Sequence, residues 1–137
     1  MAVLLDTSLI VAAADAADLN HRAAAAWLAR VDEPLLVGAL TLAEVDHVLQ
    51  RELGPAASAA VVKAVVQGGL RLVAPTEADL ARASELVAEA AEHRPRLAEA
   101  VLVATAERLG VRRIATFDRR PIAVLRPRHL RAFELEP

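Results

Sequence analysis

Residues 3–14 have the sequence VLLDTSLIVAAA, and this stretch decides the fold class. The three apolar residues Val3–Leu5 predict a short buried strand, because the run is too short for a helix. Asp6 follows at once, and Ser8 to Ala14 then predicts a helix. A buried apolar strand that passes within a few residues into a helix is typical of α/β proteins with a parallel sheet.

The same alternation of short apolar runs and amphipathic segments continues along the chain. Further strands are predicted at Leu35–Val37, Leu70–Val73 and Arg113–Thr116, with an edge strand in the region Ala132–Leu135. Further helices are predicted at Asp18–Val31, Thr41–Leu53, Ala56–Gln67, Thr76–Glu92 and Leu97–Leu109. The pattern predicts one α/β domain over residues 1–137, with a mostly parallel central sheet flanked by helices. Functional sites in such folds lie at the carboxyl ends of the strands.

Composition excludes several classes of site. The chain has no cysteine, so disulfides, zinc–thiolate sites and thiol nucleophiles are excluded. Its only aromatic residues are Trp27, Phe117 and Phe133, which is too few for a base-stacking platform, and the spacing of Trp27 favours a role in packing. No apolar run approaches the roughly 18 residues of a membrane span, and no basic residue precedes the first apolar run as in a secretory signal. We therefore expect a cytoplasmic protein.

Charge is unevenly distributed along the chain. The net charge is −2, but residues 111–137 contain seven arginines and only three acidic residues. Basic clusters of this kind contact either nucleic-acid phosphates or an acidic partner protein, and a solvated basic tail is the alternative. The candidate contacts to RNA or to an acidic partner are Arg112, Arg113, Arg119 and Arg120.

Three acidic residues are expected near the carboxyl ends of strands. Asp6 directly follows the first strand, and Asp118 follows the strand that ends at Thr116. Glu44 lies near the start of the helix after the second strand, three residues beyond Thr41. That spacing also matches a capping box, in which Glu44 would bind the start of its own helix. A structural and a functional role for Glu44 are therefore compatible.

Glu99 is a carboxylate on a helix that is expected to be largely buried. Its neighbours one turn later are the apolar residues Leu102 and Val103. A buried carboxylate requires a partner, which is either a nearby arginine, such as Arg94 or Arg96, or a metal ion. The helix dipole also favours an acidic residue in this first turn.

Together these four acids predict a metal site. Carboxylates that converge at one edge of a sheet repel one another, and a divalent cation relieves the repulsion. Oxygen ligands favour Mg²⁺ or Mn²⁺ over zinc. Such an ion can polarise a phosphate and activate water, which is sufficient to hydrolyse a phosphodiester. We expect Asp6 and Asp118 to be the main ligands, with Glu44 and Glu99 completing the shell.

Four segments carry a resemblance to a known family. They are Val3-Leu-Leu-Asp6-Thr-Ser8, Thr41-Leu-Ala-Glu44-Val, Arg96-Leu-Ala-Glu99-Ala-Val-Leu-Val-Ala-Thr-Ala and Ile114-Ala-Thr-Phe-Asp118-Arg-Arg. In this order they resemble the four motifs of PIN domains, and specifically of VapC-type toxins from bacterial toxin–antitoxin pairs. The resemblance implies a Mg²⁺- or Mn²⁺-dependent endoribonuclease that is inhibited by a cognate antitoxin protein and forms a homodimer. It also implies accessory polar roles for Ser8 and Thr116.

One residue departs from the family pattern. The third motif usually carries Asp where this chain has Glu99, and the longer side chain moves the carboxylate oxygens by about one methylene. A catalytically degenerate PIN-like module that only binds protein is therefore the alternative. A receiver domain is disfavoured because the only lysine, Lys63, lies in a predicted helix, and an Asp-x-Asp phosphatase is disfavoured because Ser8 stands where the second acid is needed.

Overall fold

A computed structural model describes residues 1–137. Five strands form one sheet in the order β3-β2-β1-β4-β5. Their bounds are β1 Val3–Leu5, β2 Leu35–Gly38, β3 Arg71–Val73, β4 Arg113–Ala115 and β5 Glu134–Glu136. All four neighbouring pairs are parallel. The predicted parallel sheet is confirmed, and the expected edge strand lies beside β4, shifted toward the C-terminus.

Seven α-helices connect and cover the strands. They are α1 Thr7–Ala14, α2 His21–Arg30, α3 Ala39–Glu52, α4 Pro55–Val66, α5 Glu77–Glu89, α6 Leu97–Leu109 and α7 Arg119–Ala123, with a 3-10 turn at Ala91–His93. None of them combines the length and the apolar character that crossing a bilayer requires.

The central strand β1 buries side chains on both faces of the sheet. Val3 and Leu5 pack with apolar residues of α1 to α4, including Trp27, which is only 2% exposed. Leu4 points to the other face, where it packs with Ile114 and with apolar residues of α6. Each such side chain contributes about 1.5–3 kcal/mol by burial, so β1 is firmly held. The residue that follows it, Asp6, therefore starts from a rigid position. Trp27 is a core residue, as its spacing predicted.

The start of α3 differs from the prediction. The helix begins at Ala39, directly after β2, rather than at Thr41. Thr41 is therefore inside the helix and buried, so the capping box predicted between Thr41 and Glu44 is wrong. Gly38 has extended backbone and occupies the N-cap position instead. Glu44 consequently lies in the second helical turn, which leaves its carboxylate free for contacts with other segments.

Helices α2, α5 and α7 also differ from the prediction, since α2 begins at His21 rather than Asp18. Helix α5 ends at Glu89 rather than Glu92, and the chain then forms the 3-10 turn and reaches Arg94 with a φ of +49°. Pro95 accounts for the end of the helical stretch at the 3-10 turn, because it cannot continue a helix and disfavours helical backbone in the residue before it. Helix α7 was not predicted, because five residues are too few to show a helical period.

Charged side chains join α5 to α6. The buried carboxylate of Asp79 accepts a hydrogen bond from Arg108 Nε at 2.9 Å and another from the backbone of Thr76 at 3.0 Å. Arg82, nearly buried, binds Glu107 through Nε at 3.0 Å. Buried charges are tolerated only when they are paired in this way. These contacts fix α6, the helix that carries Glu99.

Candidate metal centre

Asp6 is held in place by two hydroxyl groups at the carboxyl ends of β1 and β4. Its Oδ2 accepts hydrogen bonds from Thr116 Oγ1 at 2.7 Å and from Ser8 Oγ at 3.2 Å. The two hydroxyl oxygens lie 3.0 Å apart, and Ser8 also accepts a hydrogen bond from the backbone of Phe117. Oδ1 of Asp6 has no hydrogen-bond partner. Ser8 and Thr116 thus orient Asp6 and leave one oxygen free.

Asp118 lies beside the same pair of hydroxyls. Its backbone N–H donates to Thr116 Oγ1 at 3.0 Å, which ties the turn after β4 to the Asp6 cluster. Its exposed carboxylate makes no hydrogen bond or ion pair, and it shares a polar cleft with Glu99. The acids at the ends of β1 and β4 are therefore linked through Thr116, with free oxygens on both.

Glu44 and Glu99 are linked by one arginine. Arg96 Nη2 lies 3.1 Å from Glu44 Oε2, and its Nε lies 3.4 Å from Glu99 Oε1. The backbone N–H of Arg96 also donates to Glu99 Oε2 at 3.0 Å, so Glu99 caps its own helix. Glu99 is 8% exposed, as its apolar neighbours predicted, and its partner is an arginine, one of the two alternatives expected.

The pKa of Glu44 shows that three of the acids interact. Burial raises the pKa of the Glu44 carboxyl above its ordinary value, and the charges of Asp6 and Glu99 raise it further. The Arg96 guanidinium lowers this pKa but does not cancel the increase. The charges of Asp6 and Glu99, which belong to two other segments, therefore both act on Glu44, which agrees with acids that lie at one edge of the sheet.

The kind of donor atom that the four acids offer fits a hard divalent cation. All four acids offer oxygen and the chain has no cysteine, which matches Mg²⁺ or Mn²⁺; His93 lines the same cleft as Glu99 and Asp118. As the side chains lie, however, no three carboxylate or histidine groups are close enough together to hold an ion. Arg96 occupies one oxygen of Glu44 and one of Glu99. A complete ligand set therefore requires these side chains to turn toward Asp6 and Asp118.

A polar cleft of about 560 Å³ opens beside the acids. Glu99 and Asp118 line it together with the basic residues Arg94, Arg96 and Arg120. Arg94 and Arg120 form no ion pair, so their charges are available to a phosphate. Arg94 and Arg96 were predicted only as possible partners of Glu99, not as residues that line a cleft. Arg96 begins the third motif and Arg94 precedes it by two residues, which was the available signal.

The predicted arginine cluster divides into different roles. Arg113 is bound by Glu33 and by Glu136, the latter at 2.6 Å, so its guanidinium is already paired within the chain, and its contact with RNA or an antitoxin stays a prediction. Arg112 precedes β4 and lies at the opposite end of that strand from the acids. Arg119 donates to the carbonyl of Pro137 at 2.6 Å. Only Arg120 of the four lines the cleft, because α7 places it there.

A second surface feature is an apolar groove of about 420 Å³. Residues of α1, α2 and α4 line it, and twelve of its thirteen lining residues are hydrophobic. Among them are Leu9, Ile10, Leu28 and Ala60. Open apolar grooves of this kind commonly bind a partner protein.

The chain is similar to known proteins over most of its length. Residues 3–126 match the model of the PIN domain family. The chain is 30% identical over 125 residues to Ribonuclease VapC26 of Mycobacterium tuberculosis (strain ATCC 25618 / H37Rv), covering 91% of this chain and 93% of that protein.

Solved structures share the fold. VapC20 of Mycobacterium tuberculosis, described as a Sarcin-Ricin loop cleaving toxin, matches with a TM-score of 0.81 and 22% identity over 85% of this chain and 89% of that one. VapBC2 from Rickettsia felis, solved with a promoter DNA fragment, matches with a TM-score of 0.70 and 14% identity over 99% and 98%. The predicted family is confirmed by the matches over the full motif set: this chain belongs to the PIN domain family.

Proposed function

We propose that this PIN-domain ribonuclease is an endoribonuclease toxin that hydrolyses RNA with a Mg²⁺ or Mn²⁺ ion held by Asp6, Asp118, Glu99 and Glu44. The observation that carries the proposal is the state of Asp6. Thr116 and Ser8 hold one of its oxygens, the other is free, and Glu44, whose pKa the charges of both Asp6 and Glu99 raise, is near. The oxygen of Asp6 that is left free is the one available to a metal ion.

The division of labour follows from this arrangement. A bound divalent ion supplies Lewis acidity and a water of lowered pKa, so no protein nucleophile is needed. Ser8 and Thr116 orient Asp6, and the backbone N–H of Asp118 donates to the same two hydroxyls. Arg94 and Arg120 bind RNA phosphates in the cleft and position the backbone. The near absence of aromatic residues favours contact with the backbone rather than with the bases.

Relatives support the choice of RNA and of a toxin. The relative of 30% identity is named a ribonuclease, and a structural neighbour is described as a toxin that cleaves the Sarcin-Ricin loop. Other neighbours, VapBC2 and VapBC-1, are named as VapBC pairs. We therefore propose that a cognate antitoxin inhibits this chain and that an apolar antitoxin segment docks in the groove between α1, α2 and α4. We also propose a cytoplasmic homodimer in which residues 1–137 act as one domain.

The second candidate is a degenerate PIN-like module that only binds protein. Glu99 in place of Asp, and the pairing of Arg96 with Glu44 and Glu99, favour it. Calorimetric titration of Mn²⁺ into antitoxin-free protein and into Asp6→Asn separates the two functions. The nuclease requires binding that is lost in Asp6→Asn, together with RNA cleavage that depends on the metal. Protein that neither binds Mn²⁺ nor cleaves RNA would leave the binding module as the function.

A further inference from the structure

Arg96 forms ion pairs with Glu44 and Glu99, two of the four proposed metal ligands. Its guanidinium spans two helices, since Glu44 belongs to α3 and Glu99 to α6. Its Nη2 contacts Oε2 of Glu44, and Glu44 has no other ion pair. Its Nε and its backbone N–H together engage both oxygens of Glu99. A divalent ion bound to Oε1 of Glu99 and the ion pair of Arg96 with that oxygen are therefore alternatives, and the Arg96 charge also opposes a cation at Glu44.

We propose that Arg96 is an internal counter-ion that a divalent cation displaces from Glu44 and Glu99 and that then binds an RNA phosphate. This inference rests on the proposed function. It makes Arg96 a substrate-binding residue that becomes available only once the metal ion is in place. Binding of metal and binding of RNA are then coupled, and thermodynamic linkage requires each to strengthen the other.

Exposure makes the displacement feasible. The Arg96 side chain is 67% exposed, so its ion pairs are screened by water and are weak. The backbone N–H of Arg96 separately donates to Oε2 of Glu99, so the main chain stays anchored when the guanidinium leaves Oε1. A buried arginine, such as Arg82 with its three glutamate partners, is not free to move in this way.

The polar cleft beside the acids can accommodate the Arg96 guanidinium once it leaves the glutamates. Arg96 lines the polar cleft, where Arg94 and Arg120 form no ion pair. The carboxylates Glu99 and Asp118 lie in the same cleft, so a phosphodiester bound to the metal ion would lie beside these arginines. Arginine is suited to this task because its planar fork binds two phosphate oxygens at once.

The first measurement is Mn²⁺ affinity by calorimetry for wild type, Arg96→Gln and Arg94→Gln, without RNA. We expect Arg96→Gln to bind Mn²⁺ about three- to tenfold more tightly, because weak exposed ion pairs no longer compete. Arg94→Gln removes the same charge from the same cleft but no ion pair, so it should change the affinity much less. Far-ultraviolet circular dichroism confirms that each variant is folded.

The second measurement is the salt dependence of binding to a short single-stranded phosphorothioate RNA, in Mn²⁺ and in EDTA. With Mn²⁺, Arg96→Gln should lower the slope of log K against log salt by about 0.7, the value of one phosphate contact to a single strand. In EDTA its slope should equal that of wild type. Arg94→Gln should lower the slope under both conditions.

The possible results separate failure of the Arg96 role from failure of the proposed metal site. Equal Mn²⁺ affinity in wild type and Arg96→Gln, with binding lost in Asp6→Asn, would overturn the counter-ion role and leave the metal site intact. An equal loss of slope with and without metal would overturn the coupling. If neither wild type nor Arg96→Gln binds Mn²⁺, the proposed metal-dependent function is wrong, and the role proposed for Arg96 is wrong as well.

Discussion

The hydroxyl of Thr116 donates a 2.7 Å hydrogen bond to Oδ2 of Asp6 and so joins the carboxyl ends of two neighbouring strands, β4 and β1. Thr116 is fully buried, and the same hydroxyl accepts the backbone N–H of Asp118. One threonine therefore sets the orientation of one acid and the backbone position of another.

Thr116→Val should weaken metal binding more than it weakens the fold. Valine fills nearly the same volume, but it leaves Asp6 with only the 3.2 Å hydrogen bond from Ser8 and the N–H of Asp118 with only the longer contact to Ser8. Partners of metal ligands change affinity by about 10–100-fold, and we expect a loss of that size in Mn²⁺ calorimetry. Thr105→Val is the matched control, because its buried hydroxyl contacts Asp79 instead. An equal loss of affinity in both variants would show a general effect of lost hydroxyls.

Asp6→Asn and Glu99→Gln should both abolish RNA cleavage. Each removes one negative charge from the proposed ligand set and keeps the side-chain shape. We expect Mn²⁺ affinity to fall by more than about 100-fold in Asp6→Asn, since even indirect partners account for 10–100-fold. Glu52→Gln, an exposed acid on α3, should behave as wild type in both assays. Full activity in Glu99→Gln would remove Glu99 from the site.

Asp79→Asn should destabilise the protein only where Asp79 is ionised. Burial raises the pKa of Asp79, but hydrogen bonds from Arg108 and Thr76 outweigh this and hold the pKa below its ordinary value. Its stabilising contribution is therefore present above the unfolded pKa and is lost as the pH falls through the lowered folded pKa. In urea denaturation we expect a loss of about 1.5–3 kcal/mol at neutral pH.

The acid limit provides the check on that prediction. At about pH 2, Asp79 is protonated in the unfolded chain and increasingly so in the folded one. The difference in free energy of unfolding between Asp79→Asn and wild type should therefore shrink. A difference that stays constant across this range would assign the loss to packing. Mn²⁺ affinity at neutral pH should be unchanged, because Asp79 lies between α5 and α6 and not among the proposed ligands.

Arg120→Gln and Arg113→Gln should separate substrate binding from stability. Arg120 lines the cleft without an ion pair, so its loss should lower the salt slope of RNA binding by about 0.7. Arg113 is held between Glu33 and Glu136, and Glu136 also accepts a hydrogen bond from Trp27 at 3.4 Å. Arg113→Gln should leave the salt slope unchanged, lower the melting temperature and alter Trp27 fluorescence. A lowered salt slope with an unchanged melting temperature in Arg113→Gln would instead show that Arg113 contacts RNA.

Ala60→Asp should impair inhibition by the antitoxin, while Ala59→Asp should not. Both residues are exposed on α4, but only Ala60 lines the apolar groove. An unpaired charge in an apolar interface is costly, so we expect antitoxin affinity to fall at least about tenfold in Ala60→Asp. Biolayer interferometry with the cognate antitoxin measures this difference. Equal affinities for the two variants would place the antitoxin elsewhere.

Local pattern was sufficient for most of the fold. The apolar run Val3–Leu5 indicated a buried strand because no other short element hides three consecutive apolar side chains. Gly54-Pro55 correctly separated α3 from α4, since Gly54 has a φ of +88° and Pro55 begins the next helix. Helix ends that no glycine or proline marks were predicted less well. The start of α3, for example, is at Ala39, two residues before the predicted Thr41.

By itself, the sequence determined the alternation of strands and helices, the parallel sheet and the position of Asp6 and Asp118 at strand ends. Those features depend on residues that are neighbours along the chain. Only the tertiary structure decided that Arg113 is neutralised by Glu33, which is 80 residues away, and that Arg96 bridges Glu44 and Glu99. Both arginines look alike in a sequence. Their roles differ because a charge takes its function from the partners that folding brings within a few ångströms.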